Sequence, residues 1–418
     1  MKVFKFGGAS IKDAAGIKNA CHIIDKYGDK TLLVVVSASG KTTNALEEVT
    51  NAYFNSTGKA LELINDIKQY HFNICNDLFP KDHKVYDDLQ NLFVELEWQL
   101  EEDRMESYNY VYDQIVSTGE LLSTTIINHY LNETGVASHW LDVRDVLKTD
   151  DTYREAKIDW EQTDALIKSQ VIPILKYKIV ITQGFLGCTP ENCTTTLGRE
   201  GSDFTAAIFA NALDAESQSV WKDVPGILNG DPRIWEDTEL IEDMTYHEAI
   251  EMTFYGAQVI HPKTIKPLQN KQIPLLVRSF IHPEDKGTKI YNPIKEPIYP
   301  PVRVIKYNQA LISLYTKDFS FVEESVMSKV IKAFAKVNLK INMMQNAAIL
   351  FQAVVDNSTP KLDALVKDLE RFFDIHIDKN LTLLTVRHYN DGVIKKSIGE
   401  KNAILEQKRA TTYQALLK

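Results

Sequence analysis

The chain has 418 residues, 44% hydrophobic and 25% charged, an ordinary globular mixture with length for two or three domains. A net charge of −10 excludes a whole-protein basic field for nucleic acid, and no stretch approaches the length of a membrane span. Cys21, Cys75, Cys188 and Cys193 lack metal-finger and CxxC spacing, so free thiols in a reducing cytoplasm are expected.

The first ten residues, MKVFKFGGAS, have neither a long apolar region nor a cleavage-type site, so they read as a strand at 3–6 and not as a signal peptide. Helical spacing of Ala14, Ile17, Ala20, Cys21 and Ile24 follows, then a buried strand at 31–36, TLLVVV. The polar loop SASGKTTN leads into a helix from about residue 45, and residues 58–130 are rich in helix formers. Further strands are expected at 136–142, 178–183, 219–224 and 274–278. This alternation predicts an α/β layered domain with a mostly parallel sheet. Ligands of such sheets sit beyond the carboxyl ends of the strands. Gly7-Gly8, residues 37–44, Gln183-Gly184 and residues 223–226 all fall there, which argues for one shared site. Four prolines between Asn292 and Pro301 mark a linker. Beyond it, a strand at 311–315, a helix at 324–337, a strand pair around Asn346, a helix at 360–373 and a strand at 381–386 give a ferredoxin-like β-α-β-β-α-β order. A helix at 391–400 and a strand at 411–417 complete the chain.

The stretch TTTLGREGSD, residues 194–203, opens the alanine-rich helix pattern FTAAIFANAL. Ser202 and Asp203 are good N-cap types, and a helix N-terminus offers unpaired N–H groups and partial positive charge to an anion. Arg199 beside it can grip a carboxylate or phosphate through two parallel hydrogen bonds. An ordinary glycine turn capping a helix is the competing reading. Lys5 leads into Gly7-Gly8, where glycines let backbone N–H groups approach phosphate oxygens and the lysine neutralises their charge; a surface lysine before a turn is the alternative. The GKT at 40–42 is not a P-loop, because the required glycine position holds Val35. Glu120, in STGE, reads as an acid favoured by a helix N-terminus, with ammonium binding as the alternative. Trp221, Lys222 and Arg233 suit a nucleotide at a sheet edge, although Trp221 also fits a core. His247 and His261 read as structural, His261-Pro262 marking a helix start.

Seven motifs in order carry a resemblance: KFGGAS at Lys5, SASGKTTN at Ser37, STGE at Ser117, TQGF at Thr182, TTTLGREGSDFTAA at Thr194, WKDVPGILNGDPR at Trp221 and EAIEMTFYGAQVIHPKTI at Glu248. With them the chain resembles the aspartokinases, the aspartate kinases of the amino acid kinase family, over essentially its whole length. The resemblance implies a three-layer α/β/α kinase domain, residues 1–291, followed by a C-terminal ferredoxin-like ACT region, residues 302–418. It implies phosphorylation of the L-aspartate side-chain carboxylate by ATP with Mg2+, at the entry to lysine, threonine and methionine synthesis. Lys5 and Asp203 would be catalytic, with Lys5 stabilising the transferring group and Gly7 and Gly8 cradling phosphates. Thr43, Glu120, Arg199 and Ser202 would bind aspartate, Glu120 at its ammonium and Arg199 at its α-carboxylate. Ser37, Lys222, Asp223, Leu228, Arg233 and Gln258 would line the nucleotide site. No protein-held metal site, no nucleic acid and no membrane are expected, and a homodimer through the ACT region is. A kinase of glutamate, acetylglutamate or carbamate is the nearest rival. The Arg199 loop, the helical insertion and the tail argue against it. A non-catalytic amino-acid sensor is the other, opposed by the intact Lys5, Glu120, Arg199 and Asp203. No second dinucleotide-binding unit follows, so fusion to homoserine dehydrogenase is not expected.

There are departures from the family pattern. Glu200 stands where relatives often have glycine, which puts a carboxylate beside an anion site unless it turns away or pairs. Gln258 stands for a frequent lysine and Leu228 for a frequent aromatic. The tail holds one complete ACT module and a reduced second. Its SFVEESVM and MMQNAAIL stretches lack the Gly-Phe and Thr-Ser-Glu features of lysine-inhibited relatives, so the resemblance leaves the feedback effector open, lysine included.

Overall fold

Alternation along the first strand, Lys2–Phe6, sets the architecture. Phe4 and Phe6 enter a core with Leu32, Val34, Val36 and the helices that follow. Val3 and Lys5 point to the other face, as a period of two demands. In the computed structural model, which describes residues 1–29, 31–101, 107–257, 260–295 and 297–418, this strand lies near the centre of an eight-stranded sheet. The order is Ser138–Leu141, Ile179–Gln183, Leu32–Val36, Lys2–Phe6, Ser217–Lys222, Leu275–Ser279, Thr288–Tyr291, Asp243–Thr245. All pairs are parallel except Thr288–Tyr291 against Leu275–Ser279. The helices Ala14–Tyr27 and Thr118–Glu133 belong to the Phe4 side, together with the helical insertion between Thr42 and Val116. The helix Gly201–Ala212 packs on the Lys5 side. Its GSDFTAAIFANA sequence uses small residues where it crosses the sheet, and it is buried almost throughout.

The chain folds into two units. The first holds Met1–Ile227, Leu240–Ile250 and residues 260–297. The second holds Ile298–Lys418 and also Leu228–Glu239 and residues 251–257.

In the second unit six antiparallel strands run in the order Ile341–Asn346, Leu350–Asp356, Val302–Thr316, Phe373–Arg387, Thr412–Leu417, Ala403–Lys408. The two long strands each serve two modules. Residues 309–316 and 373–381 pair with each other and carry the helices Glu324–Lys336 and Thr359–Leu369 on the core of Ile312, Leu314, Phe351 and Phe334. Residues 302–306 pair with 383–387, and these continue into Thr412–Leu417 and Ala403–Lys408 beside the helix Asp391–Ile398. The half with two helices is thus nested inside the half with one, whose outer strand comes from the start of the region. Register shifts mark the bend between Lys306 and Leu311. Asn308 (φ 52°) and Asn380 (φ 60°) take the left-handed conformation there, which asparagine tolerates better than most residues.

Two sequence expectations need correction. The strands expected at 311–315 and 381–386 are each one part of a fifteen-residue strand, because polar residues at the bend interrupt the apolar pattern. The strand Ala403–Lys408 was not anticipated; its AILEQK sequence is mostly polar.

Candidate active site

Three chain segments converge at the carboxyl ends of the central strands. The first is the turn after Lys2–Phe6. Lys5 is 8% exposed, yet it carries a charge, and it is matched: its Nζ lies 2.7 Å from Oδ1 of Asp203, itself 3% exposed. Burial pushes the Asp203 carboxyl up, but the Lys5 and Lys222 ammonium groups pull harder and hold it below the ordinary carboxylate range. Gly7 sits against this pair, and a Cβ there would lie 3.5 Å from Lys5 Nζ. Gly8 has a different job. A Cβ would meet the Ala38 carbonyl at 2.4 Å, and the Gly8 carbonyl accepts from Gly40 N at 2.9 Å. Its smallness joins two loops.

The second segment is residues 37–44. The Ser37 carbonyl accepts from Ser123 Oγ at 2.8 Å, and Ser39 O accepts from Thr42 Oγ1 at 2.6 Å, so the loop is fixed against its neighbours. The Ala38 N–H donates to Glu120 Oε1 at 3.2 Å. Glu120 lies in the first turn of Thr118–Glu133, but it is no solvated helix-end acid. It is 2% exposed, and its Oε2 has no hydrogen-bond partner. Burial pushes its carboxyl up to about 8, against the opposing pull of Ala38 N and Lys5. A buried acid in that state is stabilised by an incoming cation.

The third segment is the turn before Gly201–Ala212. The helix begins at Gly201, and the cap position belongs to Glu200, not to Ser202 or Asp203, which occupy the first turn. Glu200 is left-handed (φ 56°) and one of its carboxylate oxygens, Oε2, is buried without a hydrogen-bond partner. Ser202 packs on Gly184, where a Cβ would come within 2.4 Å of Ser202 Cβ. Arg199 is exposed to the cavity, with no ion-pair partner among the described residues.

These segments line one cavity of about 840 Å³. Lys5, Ser37, Thr43, Glu120, Arg199, Ser202 and Asp203 all face it. So do residues that sequence reasoning did not single out, among them Tyr112, Arg154 and Phe185. Arg154 and Phe185 are left-handed (both φ 71°), which for side chains of this size marks a constrained site. No periodicity announces such a conformation. Lys222 ends the strand Ser217–Lys222 and Asp223 follows it, both in the first unit. Leu228 and Arg233 belong to the second unit, where Arg233 is exposed and forks onto Asp231 at 3.0 and 2.7 Å. Gln258 lies outside the described residues. Trp221 does not serve a sheet edge: it is fully buried on a central strand, stacked on Phe6, with the Arg278 guanidinium 4.6 Å from its ring. Among the described residues no group of three or more His, Cys, Asp or Glu side chains is arranged to hold a metal ion, and no helix is long and apolar enough to cross a membrane.

Comparison with known proteins bears on the same site. The model of the amino acid kinase family matches residues 1–279. Lysine-sensitive aspartokinase 3 of Escherichia coli (strain K12) is 30% identical over 393 residues, 92% of this chain and 86% of that protein. Bifunctional aspartokinase/homoserine dehydrogenase 2, chloroplastic, of Arabidopsis thaliana is 30% identical over 299 residues, 70% of this chain and 32% of that protein. The crystal structure of E. coli aspartokinase III in complex with aspartate and ADP superimposes with a TM-score of 0.84 at 28% identity, covering 100% of this chain and 96% of that one.

Proposed function

The chain belongs to the amino acid kinase family and, within it, to the aspartokinases, and we propose that it transfers the γ-phosphoryl group of MgATP to the side-chain carboxylate of L-aspartate. The product is 4-phospho-L-aspartate, at the entry to lysine, threonine and methionine synthesis. One observation carries the reading. The Lys5–Asp203 pair, 2.7 Å apart, shares a cavity with the partnerless oxygen of Glu120 and the free guanidinium of Arg199. That set offers a cation for a phosphoryl group, an acid for an ammonium and a fork for a carboxylate.

Phosphoryl transfer asks for positioning and charge stabilisation more than covalent help. Lys5 meets the charge on the transferring group, and Asp203 fixes the direction of its ammonium. Gly7 leaves room for phosphate oxygens beside Lys5, and Gly8 keeps the 37–44 loop in reach. Glu120 takes the substrate ammonium, Arg199 its α-carboxylate, and Thr43 and Ser202 complete the pocket. The nucleophile is a carboxylate, so no general base is required. Ser37, Lys222, Asp223, Leu228 and Arg233 are assigned to the nucleotide. Magnesium would come with the nucleotide as its chelate and would offset the charge of the phosphates. We assign residues 1–291 to catalysis and 302–418 to regulation and homodimer contact. The four thiols, all unpaired, suit a reducing cytoplasm.

The test supplies MgATP with aspartate, glutamate, acetylglutamate or carbamate and traps acyl phosphate with hydroxylamine. Product with aspartate is expected. Product with glutamate but not aspartate rejects the reading.

A further inference from the structure

Asp113 lies on the helix Tyr108–Val116 and is 0% exposed. It does not line the cavity, yet it holds two of the cavity's walls. Its Oδ2 accepts from Arg154 N at 2.9 Å and from Thr196 N at 2.8 Å. Its Oδ1 accepts from Thr196 Oγ1 at 2.7 Å. Three donors on one buried carboxylate satisfy it well, and none of them belongs to its own helix.

The two walls are the loop that carries Arg154 and the strand Thr194–Thr196, which runs straight into Gly198-Arg199. They also touch each other. Ala156 N donates to Thr196 O at 3.0 Å, and a Cβ at Gly198 would meet the Arg154 carbonyl at 3.0 Å. Arg154 is left-handed (φ 71°), and its guanidinium sits 4.2 Å from the Tyr112 ring centre and 3.5 Å from Glu47. A strained arginine persists only where its surroundings over-determine it, and Asp113 grips its backbone N–H.

We propose that Asp113 is a positioning residue for aspartate recognition, its one carboxylate fixing the Arg154 and Arg199 walls of the cavity in a single geometry. The inference rests on the aspartate kinase reading of that cavity. Asparagine can reproduce the whole arrangement. Its oxygen accepts both backbone N–H groups, and its NH2 donates to Thr196 Oγ1, a hydroxyl that accepts as readily as it donates. Burial already pushes the Asp113 carboxyl up to about 6, so an uncharged group is tolerated there. Alanine leaves all three donors without a partner.

The experiment compares the full-length wild type with Asp113→Ala, Asp113→Asn and Thr196→Val, reading kcat, both KM values and the melting temperature. Asp113→Ala is expected to lower kcat/KM for aspartate by about 100-fold, the scale of a 1 Å misplacement, with ATP KM within about twofold. Asp113→Asn is expected to restore aspartate KM to within about threefold. Thr196→Val removes a single bond and is expected to raise aspartate KM several-fold while the protein stays folded. A folded Asp113→Ala with wild-type aspartate KM overturns the proposal, as does a parallel rise of both KM values or a failure of asparagine to rescue. If Asp113→Ala does not fold, an unaltered aspartate KM in Thr196→Val overturns it. A wild type that phosphorylates glutamate and not aspartate rejects the underlying reading and this inference with it. An active wild type with insensitive variants rejects this inference alone.

Discussion

Among single residues, Lys5, Glu120 and Glu200 make the sharpest claims. Lys5 is a buried cation paired with Asp203, so its removal takes away charge stabilisation and little packing. Lys5→Ala is expected to lower kcat by roughly 100- to 1,000-fold, the loss typical of one transition-state donor; an unchanged kcat would remove its assigned role. Glu120 makes a pH prediction. Its carboxyl rises from an ordinary 4.5 to about 8 in the fold, so between those values the folded state binds more protons than the unfolded one. Its contribution to stability therefore falls as pH rises through that window. Glu120→Gln should melt higher than wild type at pH 9 and level with it at pH 4. The ammonium of aspartate needs the ionised acid, so aspartate KM should rise by up to about tenfold per pH unit below 8. A KM flat between pH 6 and 8 would detach Glu120 from the substrate. Glu200 is the residue whose presence the anion site least explains. Its left-handed backbone costs about 1–2 kcal/mol for an L-residue. Against this stand about 0.3–1 kcal/mol of favourable helix-end charge and the entropy glycine loses on folding. The two sides nearly balance, and a buried partnerless oxygen tips the sum against glutamate. Glu200→Gly is expected to stabilise by up to about 1 kcal/mol, or a few degrees in Tm, and to lower aspartate KM. A fall in Tm would mean that Glu200 is held by more than its backbone.

At the scale of elements, the site is a strand end meeting a helix start. Lys5 and Asp203 come together because the strand alternates by two and the helix Gly201–Ala212 covers the face that Lys5 occupies. This much was legible in the sequence: KFGG at a strand end and GSD before an alanine-rich run each announce themselves. Less legible was the turn between them, because Glu200, not Ser202, takes the cap position, and a left-handed glutamate breaks the rule that places Ser or Asp there. Asp113 was invisible for a related reason. One acid on an apolar helix face looks like any other until the loop and strand it binds, 41 and 83 residues away, are folded against it. The nested modules escaped because each long strand is split by polar residues at its bend. Gly184 tests how tightly strand and helix fit. An alanine Cβ there would lie 2.4 Å from Ser202 Cβ and 2.7 Å from its Cα. Backbone cannot rotate out of the way, so the first helical turn must shift. Gly184→Ala is expected to destabilise by about 1–3 kcal/mol and to cut kcat/KM by about 100-fold. Wild-type kinetics would show that the turn tolerates displacement and that Ser202 plays no part in binding.

At the scale of the whole molecule, the second unit is not a simple C-terminal block: it also holds Leu228–Glu239, with Leu228 and Arg233 in it. The segment Leu228–Glu239 is fastened within the second unit at several points. Asp237 holds the buried Arg303 at 2.9 Å and Lys396 at 2.7 Å. The Arg303 guanidinium lies 4.8 Å from the Trp235 ring, and Asn229 O accepts from Arg303 N at 2.8 Å. Arg303 and Lys396 are residues of the region assigned to regulation, so whatever moves that region moves the backbone that bears Leu228 and Arg233. Coupling between sites typically amounts to about 5- to 150-fold in affinity. Asp237→Ala unties both cations at once and leaves every residue assigned to aspartate in place. It is expected to raise ATP KM by about fivefold or more with aspartate KM unchanged. Equal rises in both constants would mean that Asp237 supports the fold as a whole. No change in either would mean that Leu228 and Arg233 do not touch the nucleotide.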